Sequence, residues 1–106
     1  MKILQKPLSV NAVWQGKRFK TAIYKDYERT LIYVLPKMVI PKGKIKLKLV
    51  FGFSSKASDI DNPVKPFLDI LQKRYGFNDK MIYKMEIEKK DVKKGEEFTE
   101  FSLSKC

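Results

Sequence analysis

Residues 44–53 read Lys-Ile-Lys-Leu-Lys-Leu-Val-Phe-Gly-Phe, and this stretch decides the fold. Apolar side chains occupy every second position, which places Ile45, Leu47, Leu49, Phe51 and Phe53 on one side and Lys44, Lys46 and Lys48 on the other. Because side chains alternate across a strand, the pattern predicts a β-strand with one buried face. The lysine row fits a DNA groove or an ordinary exposed sheet face, and we favour the exposed face.

Helical patterns lie on both sides of this strand. A helix is predicted over residues 21–35, where an apolar stripe ends at Pro36; the stripe consists of Tyr24, Tyr27, Leu31, Val34 and Leu35. Ile32 and Tyr33 lie off the stripe, which suggests a second contact, such as another subunit. A second helix is predicted with Asn62 as its N-cap, Pro63 at the first helical position and Gly76 at its end.

Further strands complete the prediction. They are expected at residues 2–6, from about residue 80 with Met81, Tyr83, Met85 and Ile87 on one face, and near residues 98–103 after a hairpin turn at 93–95. The order is roughly β-α-β-α-β-β. It predicts a single α+β domain over residues 1–106, in which a mixed β-sheet is covered by two helices.

Charge and composition narrow the function. The chain carries 23 Lys and Arg against 12 Asp and Glu, a net charge of +11, which favours a polyanionic partner and above all nucleic acid. It has no histidine, and Cys106 is its single cysteine, which excludes catalytic triads, internal disulfides and His/Cys zinc sites. We expect no membrane association, since no apolar run of about 18 residues occurs, and a cytoplasmic location as the default.

Carboxylates cluster around the start of the second helix. If the chain before Asn62 is extended, Asp59 and Asp61 point to the same side, and Asp79 can join them if its strand lies beside residues 44–53. Three such carboxylates would suit a hard cation such as Mg²⁺ and hydrolytic chemistry. Equally, an Asp before a helix is often a cap, and Asp79 alone reads as a turn residue.

Lysine in the first turn of that helix favours the metal site over the caps. A cation there opposes the helix dipole, but Lys65 beside a metal-bound phosphate could offset developing negative charge. Asp69 is four residues from both Lys65 and Lys73, which predicts a helix salt bridge. From the residues alone, a metal site and a structural role are equally supported.

The stretch Asp59-Ile60-Asp61-Asn62-Pro63-Val64-Lys65 resembles the D-x-D-N-x-x-K motif of RusA-type Holliday-junction resolvases, which phages and prophages often carry. Residues 76–79, Gly-Phe-Asn-Asp, are similar to the family's later Asp after a short turn, and residues 7–11 resemble its P-x-S-x-N segment. Relatives often have a basic residue where Ser58 stands and a second acid where Asn78 stands.

The resemblance implies an endodeoxyribonuclease that cuts four-way DNA junctions as a homodimer with Mg²⁺ or Mn²⁺. It implies that Asp59, Asp61 and Asp79 bind the metal, that Lys65 is catalytic with them, and that Asn62 keeps the acids in position. Asn11 belongs to the similar N-terminal segment and would contact DNA.

The N-terminal loop adds basic and aromatic residues. Lys17, Arg18 and Lys20 could grip phosphates while Trp14 or Phe19 stacks on an unpaired base. Alternatively, the aromatic rings pack on the core and the cations are only solvated. The rival to a resolvase is a non-catalytic DNA-binding module of the same fold; an RNA-binding protein is less favoured because no aromatic RNA-binding strand motif occurs.

Overall fold

A mixed sheet with two helices on one face forms the protein. The computed structural model describes residues 1–15 and 19–106. In chain order the strands and helices are β1 (Lys2–Ile3), β2 (Trp14–Gln15), β3 (Phe19–Lys20), α1 (Ala22–Val34), β4 (Ile45–Phe53), α2 (Val64–Tyr75), β5 (Ile82–Asp91) and β6 (Phe98–Lys105). The main sheet has the order β1-β6-β4-β5. The predicted α+β class is therefore confirmed.

Strand β4 lies at the centre of the packing. It pairs with β5 in parallel and with β6 in antiparallel orientation. Ile45, Leu47, Leu49 and Phe51 are fully or almost fully buried, as their alternation predicted. The other face is less exposed than its lysines suggested, because the ring of Phe98 lies directly over Gly52 and leaves no room there for a Cβ atom.

The helices cover the apolar face of β4. Helix α1 begins after Thr21, whose hydroxyl accepts a hydrogen bond from the Tyr24 backbone N–H at 3.1 Å. Its stripe is buried as predicted at Tyr24, Tyr27 and Leu31, and Leu35 just beyond the helix is buried as well; Val34, which was placed on that stripe, is 40% exposed. Helix α2 ends at Gly76, whose φ of 75° is the left-handed conformation that glycine adopts at low cost.

Two predictions about the last strands were wrong. The predicted hairpin between β5 and β6 does not form, because β4 lies between them and residues 92–97 cross its end, where the Val92 N–H donates to the Phe53 carbonyl at 2.9 Å. The pairing of β5 with β4 is irregular beside Ile45. Ile82 pairs with Ile45, but the next residue of β4, Lys46, pairs with Lys84. Tyr83 is the extra residue between them and is 61% exposed instead of facing the core.

The N-terminal region is more structured than predicted. The first strand has only two residues, which pair with β6. What was predicted as a loop over residues 7–20 contains a short 3-10 helix, Val10–Ala12, and the antiparallel pair β2–β3. This segment packs beside the start of α2, so it forms part of the surroundings of the carboxylates.

Candidate active site

The segment that joins β4 to α2, residues 54–63, is called the acid loop here because it carries Asp59 and Asp61. Contacts from two other parts of the chain fix it. The Val10 backbone N–H donates to the Asn62 carbonyl at 2.8 Å, and Lys89 Nζ donates to the Ser58 carbonyl at 2.5 Å. Asp59 and Asp61 therefore lie between two anchored backbone positions.

The acid loop is not the extended segment that was predicted. The chain bends at Ile60 and Asp61 and turns at Asn62 and Pro63, so the alternation argument for a shared side does not apply. Within the loop the Asn62 amide donates to Asp59 Oδ2 at 3.3 Å. Asp61 is exposed, and its backbone carbonyl accepts the Val64 N–H at 3.1 Å.

Helix α2 begins without a side-chain cap, which corrects the prediction that Asn62 caps it. The N-cap is Pro63, and no side chain of the described residues hydrogen-bonds there. Pro63 and Pro66 are both tolerated because the first backbone N–H groups of a helix have no partner within it. The structural alternative for Asp59 and Asp61, in which they serve as caps of α2, is therefore wrong. Both carboxylates are exposed to solvent.

Lys65 connects helix α2 to the third predicted acid. Its Nζ lies 2.9 Å from Asp69 Oδ1 and 3.9 Å from Asp79 Oδ2. The hydrogen bond to Asp69 raises the pKa of Lys65, and the charges of Asp69 and Asp79 add to this against a smaller opposing effect of burial. Lys65 is therefore a cation at any physiological pH, which suits charge stabilisation rather than proton abstraction.

The Lys65–Asp69 pair was predicted, but the second predicted pair of Asp69 is wrong. Lys73 instead contacts Glu28 of α1 at 2.8 Å and so connects the two helices. Partial burial of Glu28 favours its neutral form, but the hydrogen bond from Lys73, the neighbouring Tyr24 hydroxyl and the charges of Lys73 and Lys20 outweigh burial, and the pKa of Glu28 is lowered. Because Lys73 pairs with Glu28 and not with Asp69, the Asp69 carboxylate is available to orient Lys65.

A side chain of helix α2 holds the backbone of Asp79 in place. Its N–H donates to Gln72 Oε1 at 2.9 Å. Asn78 is the residue that caps the short 3-10 helix Asp79–Met81, through a bond from the Lys80 N–H at 3.0 Å, so the Asp79 carboxylate has no capping role. Gln72 was not identified from the sequence, although the spacing of Lys65, Asp69 and Gln72 places them on one helix face.

The structure gathers these residues into two groups. One is Asp59 with Asn62, and the other is Lys65 with Asp69 and Asp79. Strand β5 lies beside β4 as the prediction required, but the pair is parallel, so Asp79 precedes the start of β5 whereas the acid loop follows the end of β4. Over residues 1–15 and 19–106, no three acidic side chains lie close enough together to hold a metal ion.

A cleft lies beside Asp59. Its volume is about 300 Å³, and it is lined on one side by residues 6–9 and on the other by Phe53, Ser58, Asp59, Asn62 and Pro63. The cleft therefore has a basic residue, Lys6, and an acidic residue, Asp59, among its lining residues.

The antiparallel pair β2–β3 exposes its aromatic rings. Trp14 is 50% exposed and Phe19 is 69% exposed, so the alternative in which both pack on the core is wrong. Lys20 is half-buried, with its Nζ 4.4 Å from the centre of the Tyr24 ring and 5.5 Å from that of Trp14. Asn11 is exposed on the 3-10 helix that packs on α2.

Two of the residues predicted to bind DNA, Lys17 and Arg18, lie outside the described residues. In the lysine row, Lys44 and Lys48 are exposed and Lys46 is half-buried. Lys46 forms an ion pair with Glu86 at 3.2 Å, and Lys44 lies over the Tyr83 ring at 4.9 Å. Those cations are therefore partly neutralised or covered within the sheet.

Comparison with known proteins identifies the family. The family model described as endodeoxyribonuclease RusA matches residues 6–98, which include the acid loop, α2 and Asp79. No curated protein matches the chain. Among the described helices, none has the length and apolar character needed to cross a membrane. Because the match extends over most of its 106 residues, the chain belongs to the RusA family of endodeoxyribonucleases.

Proposed function

We propose that this protein resolves four-way DNA junctions by metal-dependent hydrolysis of phosphodiester bonds. One observation carries the proposal: the acids of the acid loop are exposed, and a lysine of the following helix lies close to the third acid. Asp59 and Asp61 are exposed and do not cap α2, while Lys65 of the same helix reaches to within 3.9 Å of Asp79. Carboxylate oxygens that are free to bind a hard cation, together with an ammonium group close to one of the acids, are the groups that metal-assisted phosphodiester hydrolysis needs.

The side chains present suit a hard divalent cation. Asp59, Asp61 and Asp79 offer carboxylate oxygens, and Mg²⁺ prefers oxygen ligands and completes its coordination with water and substrate phosphates. We propose these three as the ligands of Mg²⁺, which Mn²⁺ could replace. When bound, such a metal lowers the pKa of a coordinated water and neutralises charge on the phosphate.

The remaining site residues have supporting tasks in this proposal. Lys65, kept cationic by Asp69, would stabilise negative charge on the phosphate oxygens as the bond breaks. Asn62 would orient Asp59 through its 3.3 Å hydrogen bond. Gln72 would fix the position of Asp79 through the backbone.

The rest of the surface supports binding of branched DNA. A net charge of +11 provides phosphate contacts, for which we propose Lys17, Arg18, Lys20 and Asn11. The exposed rings of Trp14 and Phe19 could stack on bases at the junction centre. Two symmetric cuts require two active sites, so we propose a homodimer, for which Tyr33, 90% exposed on α1, is a candidate contact.

Junction cleavage tests the proposal. Purified protein would be incubated with an end-labelled synthetic four-way junction and Mg²⁺, alongside the same junction with EDTA and a linear duplex of equal length. We expect paired nicks in strands of like polarity, in the junction with Mg²⁺ only. Binding of the junction without any cut, in Mg²⁺ and in Mn²⁺, would contradict the proposal.

That contrary result would favour a second function, a non-catalytic DNA-binding module. The observation in its favour is that the three carboxylates are not gathered into a metal site within the described part of the chain. A bound metal would have to draw the two groups together, which the module does not require. Mn²⁺ binding to the DNA-free protein distinguishes the two functions, because a non-catalytic DNA-binding module needs no metal site.

A further inference from the structure

Lys89 is a polar residue on the apolar side of the sheet that the proposed mechanism does not use. It lies on β5 on the same face as Met85 and Ile87, which pack against the core, and it is only partly exposed. Its neighbour in β4 is Phe51, a fully buried core residue. A lysine in such a position needs a partner for its ammonium group, since an unpaired buried charge is costly.

The partners of Lys89 are backbone carbonyls of the acid loop. Its Nζ donates to the Ser58 carbonyl at 2.5 Å and to the Lys56 carbonyl at 3.2 Å. Its ring contact is Phe53, at 6.0 Å from the ring centre. Charge-assisted hydrogen bonds of this kind are about twice as strong as neutral ones. One side chain thus fixes two carbonyls in the residues immediately before Asp59.

The other bonds of this part of the loop are local. The N–H groups of Ala57 and Ser58 both donate to Ser55, the first to its hydroxyl and the second to its carbonyl, at 3.3 Å each. Such short-range turns order a loop internally but do not attach it to the sheet. Among the described residues, the bonds from Lys89 are those that attach residues 56–58 to another strand.

We infer that Lys89 is a positioning residue for the metal site: it holds the acid loop so that Asp59 and Asp61 are presented together. The inference rests on the proposed function. Lys89 forms one anchor on the near side of Asp59, and the Val10–Asn62 bond forms the other beyond Asp61. With both anchors in place, the loop has few ways to move its two carboxylates apart.

The matched pair of variants is Lys89→Met and Lys90→Met. Each removes one positive charge from β5 and keeps an unbranched side chain. Lys90 is the suitable control because it is exposed on the strand and pairs only weakly with Glu88, at 3.6 Å. Lys89→Arg is the conservative variant, since a guanidinium group can also donate to two carbonyls.

Hydrogen exchange in the metal-free protein tests the anchor itself. For Lys89→Met we expect the hydrogen-bonded amides of Ala57 and Ser58 to exchange about tenfold faster than in wild type, because the charged hydrogen bonds that attach this part of the loop to β5 are lost. Exchange in β6 should not change, and Lys90→Met should match wild type throughout. Equal loop exchange in the two methionine variants would overturn the inference.

Mn²⁺ dependence tests the consequence for the site. Binding of Mn²⁺ to the DNA-free protein should weaken about tenfold in Lys89→Met. This is the lower end of the loss of metal affinity that substitutions around a metal site, outside its ligands, usually cause. The cleavage rate at saturating Mn²⁺ should stay within threefold, and Lys89→Arg should restore most of the affinity. A fall in rate at every Mn²⁺ concentration with unchanged affinity would refute a positioning role.

The two proposals fail in different ways. If wild type neither binds Mn²⁺ nor cuts the junction, the proposed function fails and with it the role in metal binding, whatever the exchange rates show. If wild type binds and cuts and Lys89→Met does so with the same Mn²⁺ dependence, the inference alone fails.

Discussion

Replacing Lys65 by methionine separates catalysis from folding at this site. For folding, two small effects oppose each other. A cation in the first helical turn costs about 0.3–1 kcal/mol against the helix dipole, and the pair with Asp69 returns about 0.2–0.5 kcal/mol. The side chain is 59% exposed. We therefore expect Lys65→Met to change the free energy of unfolding by no more than about 0.5 kcal/mol.

For catalysis the expected effect is much larger. Lys65 Nζ lies 3.9 Å from Asp79, so a phosphate beside that acid would be within reach of the ammonium group. Two unit charges about 4 Å apart interact by about 4 kcal/mol near a protein surface. Because Lys65 is exposed to solvent, we reduce this value to about 2–3 kcal/mol of transition-state stabilisation. Its loss in Lys65→Met corresponds to a roughly 30- to 150-fold lower cleavage rate.

Single-turnover cleavage of a four-way junction and thermal unfolding measure the two effects. Lys42→Met is the matched control, since it removes the same charge from an exposed residue outside the helices and strands, three residues before β4 begins. Cleavage by Lys65→Met within threefold of the control would refute a catalytic role. Loss of more than about 2 kcal/mol of stability would show that Lys65 is structural.

Further predictions concern packing, pH and DNA contact. Gly52→Ala should destabilise by about 1–3 kcal/mol in chemical denaturation, because its Cβ overlaps the Phe98 ring; Phe98→Leu should relieve part of that cost, and full additivity would contradict the contact. The coupling of Glu28 and Lys73 in a double-mutant cycle should be about 0.5 kcal/mol at pH 7. Because the pKa of Glu28 is lowered from 4.5, the coupling should persist above that pH and disappear as pH falls below it; a pH-independent coupling would refute the pair. Phe19→Ala should weaken junction binding several-fold more than duplex binding in a gel-shift assay, and equal losses would exclude stacking at the junction centre.

Local patterns predicted most of the secondary structure. The alternation in residues 44–53 predicted the central strand because one face is buried from Ile45 to Phe51, whereas the other carries lysines that remain at least partly exposed. The apolar stripe of α1 and the glycine that ends α2 predicted these two helices, because both patterns depend only on residues close together in sequence. The residues proposed to bind the metal were likewise chosen from local spacing and from the resemblance of residues 59–65 and 76–79.

Features that depend on distant contacts could not be predicted in the same way. Strand order placed β4 between β5 and β6, which a turn signal at residues 93–95 cannot reveal. The irregularity at Tyr83 arises because Ile82 and Lys84 pair with the adjacent residues Ile45 and Lys46 of β4. The bonds of Lys89 to the acid loop likewise depend on the position of its strand beside β4. In each case the partner is more than 30 residues away in sequence.

The central claim is that the exposed carboxylates of the acid loop bind the metal that cuts DNA. The most direct measurement compares wild type and Asp61→Asn for junction binding in EDTA and junction cleavage over an Mn²⁺ titration. We predict that Asp61→Asn binds at least as tightly as wild type, because a negative charge is removed near the DNA, and that it cuts at no Mn²⁺ concentration. Cleavage by Asp61→Asn at the wild-type rate, or loss of binding together with loss of folding, would contradict the claim.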